Sequence, residues 1–232
     1  MTGPVRGHLE DWIMSEGFSC LAAKAAVRRT TLTQVELGMM GSDEATADLH
    51  TAVTDFVNHH LAPEENFATL VAVFDAPSGL GEEKFDELLW QQLTDLHAVD
   101  RARGYSWAHD VDADPASPNF TYSVAGHPFF VVGMHPNASR ISRRYAQPAL
   151  AFNSHHQFRR LKATGTYYGL QRRIRQREER LQQSINPNLT EFGDASEARQ
   201  YSGSATDDQW RCPFHPQGGA SSQGPAQAAP DS

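Results

Sequence analysis

The stretch Phe120-Thr-Tyr-Ser-Val-Ala-Gly-His-Pro-Phe-Phe-Val-Val-Gly-Met-His-Pro136 decides the architecture. Two runs rich in β-favouring residues, 120–125 and 128–134, flank Gly126. Glycine is the residue a tight reversal asks for, so the spacing predicts an antiparallel hairpin. Downstream, Ala149 to Phe152 reads as a further short strand, followed by helices over about 154–163 and 166–183. Upstream, Phe67 to Phe74 is apolar enough for a strand buried on both faces. Leu32, Val35 and Leu37 alternate loosely with polar neighbours, as a half-buried strand would. Ser42, followed by Ala45, Leu49, Ala52, Val53 and Phe56, predicts a capped helix that stops before Pro63. Phe85, Leu88, Leu89, Leu93, Leu96 and Val99 form one stripe of a long helix with acidic residues in its first turns. Leu9, Trp12 and Ile13, then Leu21 and Ala25, give two short helices broken by Gly17. About five strands and six helices without regular βα alternation predict an α+β fold, a single domain with a mainly antiparallel sheet.

The 232 residues suffice for one full-sized domain, and 39% apolar with 21% charged residues fits a folded chain carrying some unstructured sequence. From Pro216 onward the residues are Gly, Ser, Ala, Pro and Gln apart from Asp231. The expected division is therefore a domain over 1–215 and a disordered tail over 216–232. No apolar run approaches the roughly 20 residues of a membrane span. Glu10, Asp11 and Glu16 interrupt the place where a signal peptide would be apolar, so the expected location is the cytoplasm. There Cys20 and Cys212 remain free thiols, and the sequons at Asn119, Asn137 and Asn188 stay unused.

The net charge of −8 conceals a segregation. Residues 139–180 hold eleven basic side chains against Glu178 and Glu179, a net of +9. The remainder, with 9 basic and 26 acidic residues, stands at −17. Such a strip suits a nucleic acid, a smaller anionic group such as a propionate or phosphate, or simply two solvated helix faces.

The sequence lacks a phosphate loop, a dinucleotide glycine pattern, a paired-His zinc helix and a Gly-x-Ser-x-Gly turn. Asp110, Asp112 and Asp114 alternate like a calcium loop, but Pro115 occupies the turn position that demands Gly, which leaves an exposed acidic turn. His135 stands at the end of the hairpin's second strand, with Arg140, Arg143 and Arg144 just beyond it. An imidazole on a rigid element suits metal ligation or proton transfer, and arginine forks suit carboxylates or phosphates. A structural histidine is the competing reading. His155 and His156 open the next helix, either as surface residues or reaching the same pocket. Cys212, flanked by Trp210 and Phe214, is a soft-metal ligand or a small buried hydrophobe.

Together, Phe18-Ser-Cys-Leu-Ala-Ala-Lys-Ala25, Phe85-Asp-Glu-Leu-Leu-Trp-Gln-Gln-Leu93, the 129–144 stretch, Phe152-Asn-Ser-His-His-Gln-Phe158, Ser196-Glu-Ala-Arg-Gln-Tyr-Ser-Gly203 and Trp210-Arg-Cys-Pro-Phe214 resemble the YqcI/YcgG family. The resemblance runs from about Phe18 to Phe214; Ser19 stands where the family tends to have Pro, and His127 where other residues usually stand. Some members of that family are haem-dependent N-oxygenases. The resemblance thus implies haem b, an electron donor, and hydroxylation of a nitrogen in an amino acid, such as the arginine guanidino group, or in a related small amine. It implies His135 as axial ligand with Cys212 as rival, and Arg140, Arg143 and Arg144 as partners of the propionates. Glu197 or Asp75 would face a cationic substrate. A non-catalytic haem- or small-anion-binding protein is the alternative. Nucleic acid is disfavoured by the acidic remainder, and no membrane partner is expected.

Overall fold

A computed structural model describes residues 7–62, 64–186, 188, 191–207 and 209–216. Of the expected tail over 216–232, all but Pro216 lies outside the described residues. In chain order the elements are α1 (Gly7–Met14), α2 (Leu21–Arg28), β1 (Leu32–Met39), α3 (Asp43–His59), β2 (Thr69–Ala76), α4 (Glu82–Ala102), β3 (Tyr122–Val124), β4 (His127–Met134), β5 (Ala149–Ser154), α5 (His155–Ala163) and α6 (Thr166–Gln182). Two short 3₁₀ turns, Ile141–Arg143 and Glu197–Gln200, complete the set.

The sheet has the order β1-β2-β5-β4-β3. Only β1 and β2 run parallel, because α3 carries the chain back between them; the other pairs are antiparallel. The chain is thus α+β with a mostly antiparallel sheet, as its sequence predicts. Side chains alternate along a strand, so the interior strand β2 feeds a core on each face of the sheet. Leu70, Ala72 and Phe74 enter one apolar cluster with Leu49, Phe56, Phe85 and Leu93, while Val71 and Val73 enter a second with Leu9, Ile13 and Met134. Helices α3 and α4 cover the first face, and α1 and α2 the second.

The predicted hairpin forms around Ala125 and Gly126, both at positive φ (53° and 66°), the combination that a two-residue turn with the twist of its strands requires. Ala125 carries a Cβ, and its N–H donates to Asp100 of α4 at 2.8 Å. The second strand passes close under α4. A Cβ on Gly133 would lie 2.7 Å from both Leu89 and Phe85, so glycine is what admits the helix here. Ser42 caps α3 by accepting from the Ala45 N–H at 3.2 Å. Among the described residues no helix is long and apolar enough to cross a membrane.

Candidate functional site

The C-terminal half of α4 turns polar on its buried side. Gln92, His97 and Asp100 are all buried, continuing the stripe that begins with Phe85 and Leu89. The helix ends at Ala102, Arg103 caps it, and Gly104 (φ 86°) reverses the chain into the loop holding Tyr105 and Trp107. Facing that loop, residues 194–207 and 209–216 run without helix or strand beyond the turn Glu197–Gln200. Phe214, fully buried, pins this segment among His97, Trp107, Phe120 and Tyr122 at ring separations of 5.6–6.1 Å. Between the two walls lies an open cleft of about 1550 Å³, lined among others by His97, Arg101, Trp107, Arg199, Trp210 and Cys212.

His97 is 5% exposed, its ring edge-on to Trp107 at 5.3 Å, and its buried Nδ1 has no hydrogen-bond partner. Burial lowers its pKa, with Asp100 pulling upward and Arg101 downward, so the ring is neutral at neutral pH. Burial also drives the Cys212 thiol up to about 12. A metal ion bound there would have to displace that proton, as metals do when they ligate thiols. Arg199 donates to the Asp207 carbonyl at 2.9 Å and sits 5.8 Å from the centre of the Trp210 ring. Asp114 and Asp194 supply carboxylates to the same cleft.

Of the haem-ligand and propionate-partner candidates read from sequence, only Cys212 lines the cleft. His135 is 0% exposed and stacks on Phe85 at 4.3 Å, with both ring nitrogens buried and outside hydrogen-bond geometry. Burial lowers its pKa, against opposing contributions from Glu82 and the Leu80 carbonyl. Phe85 and His97 are twelve residues apart on α4, which separates the two imidazoles by about 18 Å of helix. The three arginines spend their donors on the protein itself. Arg140 pairs with Glu178 at 2.6 Å; Arg143 donates to the carbonyls of Gly133, Gln200 and Tyr201; Arg144 donates to those of Ala138 and Ser139. Glu178 itself collects Ser142, Ser19 and Arg140. Those bonds outweigh the burial that would raise its pKa and hold it below the usual carboxylate range. His155 is buried with Nε2 3.3 Å from Glu197, whose other oxygen accepts from Thr121 at 2.8 Å. Glu197 is thereby committed inside the protein, and Asp75 is exposed at the end of β2. The acidic turn closes on itself and its neighbours: Asp110 accepts from His156 and Arg159, Asp112 from Ser117, and Asp114 from the Ala116 N–H. Among the described residues no three His, Cys, Asp or Glu side chains gather as a metal site.

The family model for YqcI/YcgG matches residues 9–215. The chain belongs to the YqcI/YcgG family. Relatives in Bacillus subtilis (strain 168) include the uncharacterized protein YcgG, 32% identical over 161 residues, and the uncharacterized protein YqcI, 30% identical over 159. Each match covers 64% of this chain and 61% of the relative, so the chain spans less than two thirds of the length of these curated proteins. No solved structure matches.

In this YqcI/YcgG protein the matched region ends within the segment that walls the cleft. The sequence reading missed His97, although a signal was present. His97 and Asp100 follow Leu93 and Leu96 at the four-residue spacing of the apolar stripe, and polar residues continuing a buried stripe mark the end of a helix that faces a cavity or a buried partner. Trp107 and Arg101 carry no such signal, because a long loop and a helix end leave their direction to the tertiary fold.

Proposed function

We propose that this chain is a haem-dependent monooxygenase that hydroxylates a nitrogen of an amino acid or related small amine, the activity that the family resemblance implies. The observation that supports it best is the 1550 Å³ cleft, which joins a thiol, a neutral imidazole, two indole rings and arginines on one surface. That donor set suits a large planar group with carboxylate arms. At His135 the fit is poor, because Phe85 already covers the ring. In the cleft, Cys212 and His97 would hold the iron, and Arg101 and Arg199 would pair with the propionates. Trp107 and Trp210 would flank the macrocycle and keep water from it, while Asp114 and Asp194 offer carboxylates to a cationic substrate. When bound, haem supplies dioxygen activation. The overall reaction takes one N–H, dioxygen, two electrons and two protons to N–OH and water. The electrons come from a donor outside the chain.

The test is the absorption spectrum of protein expressed with haem precursor, oxidised and then reduced under carbon monoxide, for the native chain and for Cys212→Ser, His97→Ala and His135→Ala. A Soret band near one haem per chain, lost or shifted in the Cys212 or His97 variant and kept in His135→Ala, is expected. Loss only in His135→Ala would move the site to the far end of α4. A colourless native protein that also refuses added haemin would end the reading. Full haem without consumption of arginine or related amines under reductant and oxygen would leave a binding protein.

A further inference from the structure

Eight of the eleven basic residues in 139–180 have protein partners. Beyond Arg140, Arg143 and Arg144, Arg159 pairs with Asp110, Arg160 with Asn66 and the Glu65 carbonyl, Lys162 and Arg175 with Glu191, and Arg177 with the Phe18 carbonyl. Arg172, Arg173 and Arg180 are exposed and have no partner among the described residues. At 3.6 residues per turn these three fall within an arc of about 100° and span about 12 Å along α6. No residue of α6 is buried, so this face contributes nothing to the core.

The charges divide across the sheet. Helix α6 packs on α2, α5 and the turn Ile141–Arg143, whereas α3 and α4, on the opposite face, expose Asp43, Glu44, Asp48, Asp55, Glu83 and Glu87. A compact acidic partner seated on α6 meets the three arginines with the exposed Glu179 beside them, a net of +2. An extended polyanion such as a nucleic acid would also feel the acidic remainder. A different flank of α6, that of Arg175, leads toward the cleft. Arg175 lies 3.9 Å from Glu191, and Glu191 precedes the cleft residue Asp194 by three residues, at most about 10 Å of chain.

We infer that the solvent face of α6, with Arg172, Arg173 and Arg180, is the docking surface for a small acidic electron-carrier protein. The inference rests on the oxygenase reading, since that chemistry draws two electrons per turnover from outside the chain. The carrier passes them singly into the cleft, itself reoxidised at each step. Complementary charge of this kind speeds encounter and weakens with salt.

The experiment titrates the full chain with a plant-type ferredoxin, a small acidic iron–sulfur protein, at low and high salt, and records haem content on the same preparations. Native protein should bind at low salt and lose affinity at high salt. The triple variant R172E/R173E/R180E should bind at least about tenfold more weakly with an unchanged melting temperature, and K84E, on the opposite face, should bind as the native chain does. Absence of binding by the native chain, or equal affinity in the triple variant, overturns the inference. So does an RNA oligonucleotide or an anionic vesicle that binds the native chain tightly, loses that binding in the triple variant, and leaves ferredoxin unable to compete. A colourless protein that still binds ferredoxin through the arginines would refute the haem reading while leaving the docking surface in place.

Discussion

Asp100 Oδ1 accepts from His50 Nε2 at 2.7 Å, and the same oxygen takes the Ala125 N–H of the hairpin turn. Arg103 donates to His50 Nδ1 at 2.8 Å, so that nitrogen accepts and Nε2 carries the proton. One carboxylate thus joins α3, α4 and the β3–β4 turn. Asp100→Ala leaves a buried ring N–H and a backbone N–H without acceptors and is expected to cost about 3 kcal/mol of stability. Asp100→Asn keeps an acceptor oxygen and should cost about 1 kcal/mol. Urea denaturation measures both, and equal losses would show that the acceptor is not what matters.

Arg143 and Arg144 are neighbours in sequence with different work. Arg143 ties three carbonyls of β4 and the turn at 200–201 together, and burial brings its pKa down to about 10, leaving it charged at neutral pH. Gly203 (φ 86°) lies against it: a Cβ there would meet the Arg143 side chain at 2.5 Å. Arg143→Ala should cost about 3 kcal/mol, whereas Arg144→Ala, at an exposed position, should cost under about 1 kcal/mol. Similar losses in unfolding experiments would contradict this division.

The strands and helices were legible because each carries its own period. The alternation around Gly126, the stripe from Phe85 to Leu96 and the Ser42 cap all reappear as β3–β4, α4 and the start of α3. The parallel pairing of β1 with β2 was not legible, since loose alternation over Leu32–Leu37 fixes neither a partner nor a direction. The charge segregation was visible as a sum but not in its parts. Which arginines reach carbonyls and which stay free depends on contacts as distant as Arg140 with Glu178. The cleft was largely hidden for the same reason. The aromatic flanks of Cys212 are local in sequence, but His97 and Trp107, which line the same cleft, come from more than a hundred positions away.

Phe214 fastens the irregular segment that walls the cleft. It is fully buried and touches aromatic rings from α4, the loop after it and β3. Phe214→Ala should lower stability by about 3–5 kcal/mol, the usual range for a buried phenylalanine, and loosen the cleft before the rest of the domain. Deleting 217–232, which has almost nothing apolar to bury, should leave the melting temperature nearly unchanged. Hydrogen exchange separates the two effects. Uniform protection in Phe214→Ala would mean the segment is held elsewhere.

Acid should weaken the fold in two stages. His127 sits in β4 with Nε2 2.7 Å from Ser154 Oγ and its ring 4.6 Å from that of His156. Burial, then the charge of His156, pulls its pKa down to about 4; Asp110 opposes them, and Arg160 and His155 add to them. The unfolded imidazole titrates near 6.5, so between about 6.5 and 4 the unfolded chain binds more protons than the folded one. The His127 contribution is therefore complete above about 6.5 and falls away as the pH drops toward 4, by on the order of 3 kcal/mol. His97 and His135, also held low by burial, act in the same direction from the same starting point. Glu178 responds in the second stage. Its depressed carboxyl stabilises the fold above the ordinary carboxylate value of 4.5, and that contribution disappears only as the pH falls through its lower folded value. Denaturant midpoints of native protein and His127→Gln across pH 7 to 3 test the assignment. The variant should lose the His127 share of the first stage and keep the second, because a glutamine in this place binds no proton. Parallel curves for the two proteins would assign the first stage to the other histidines.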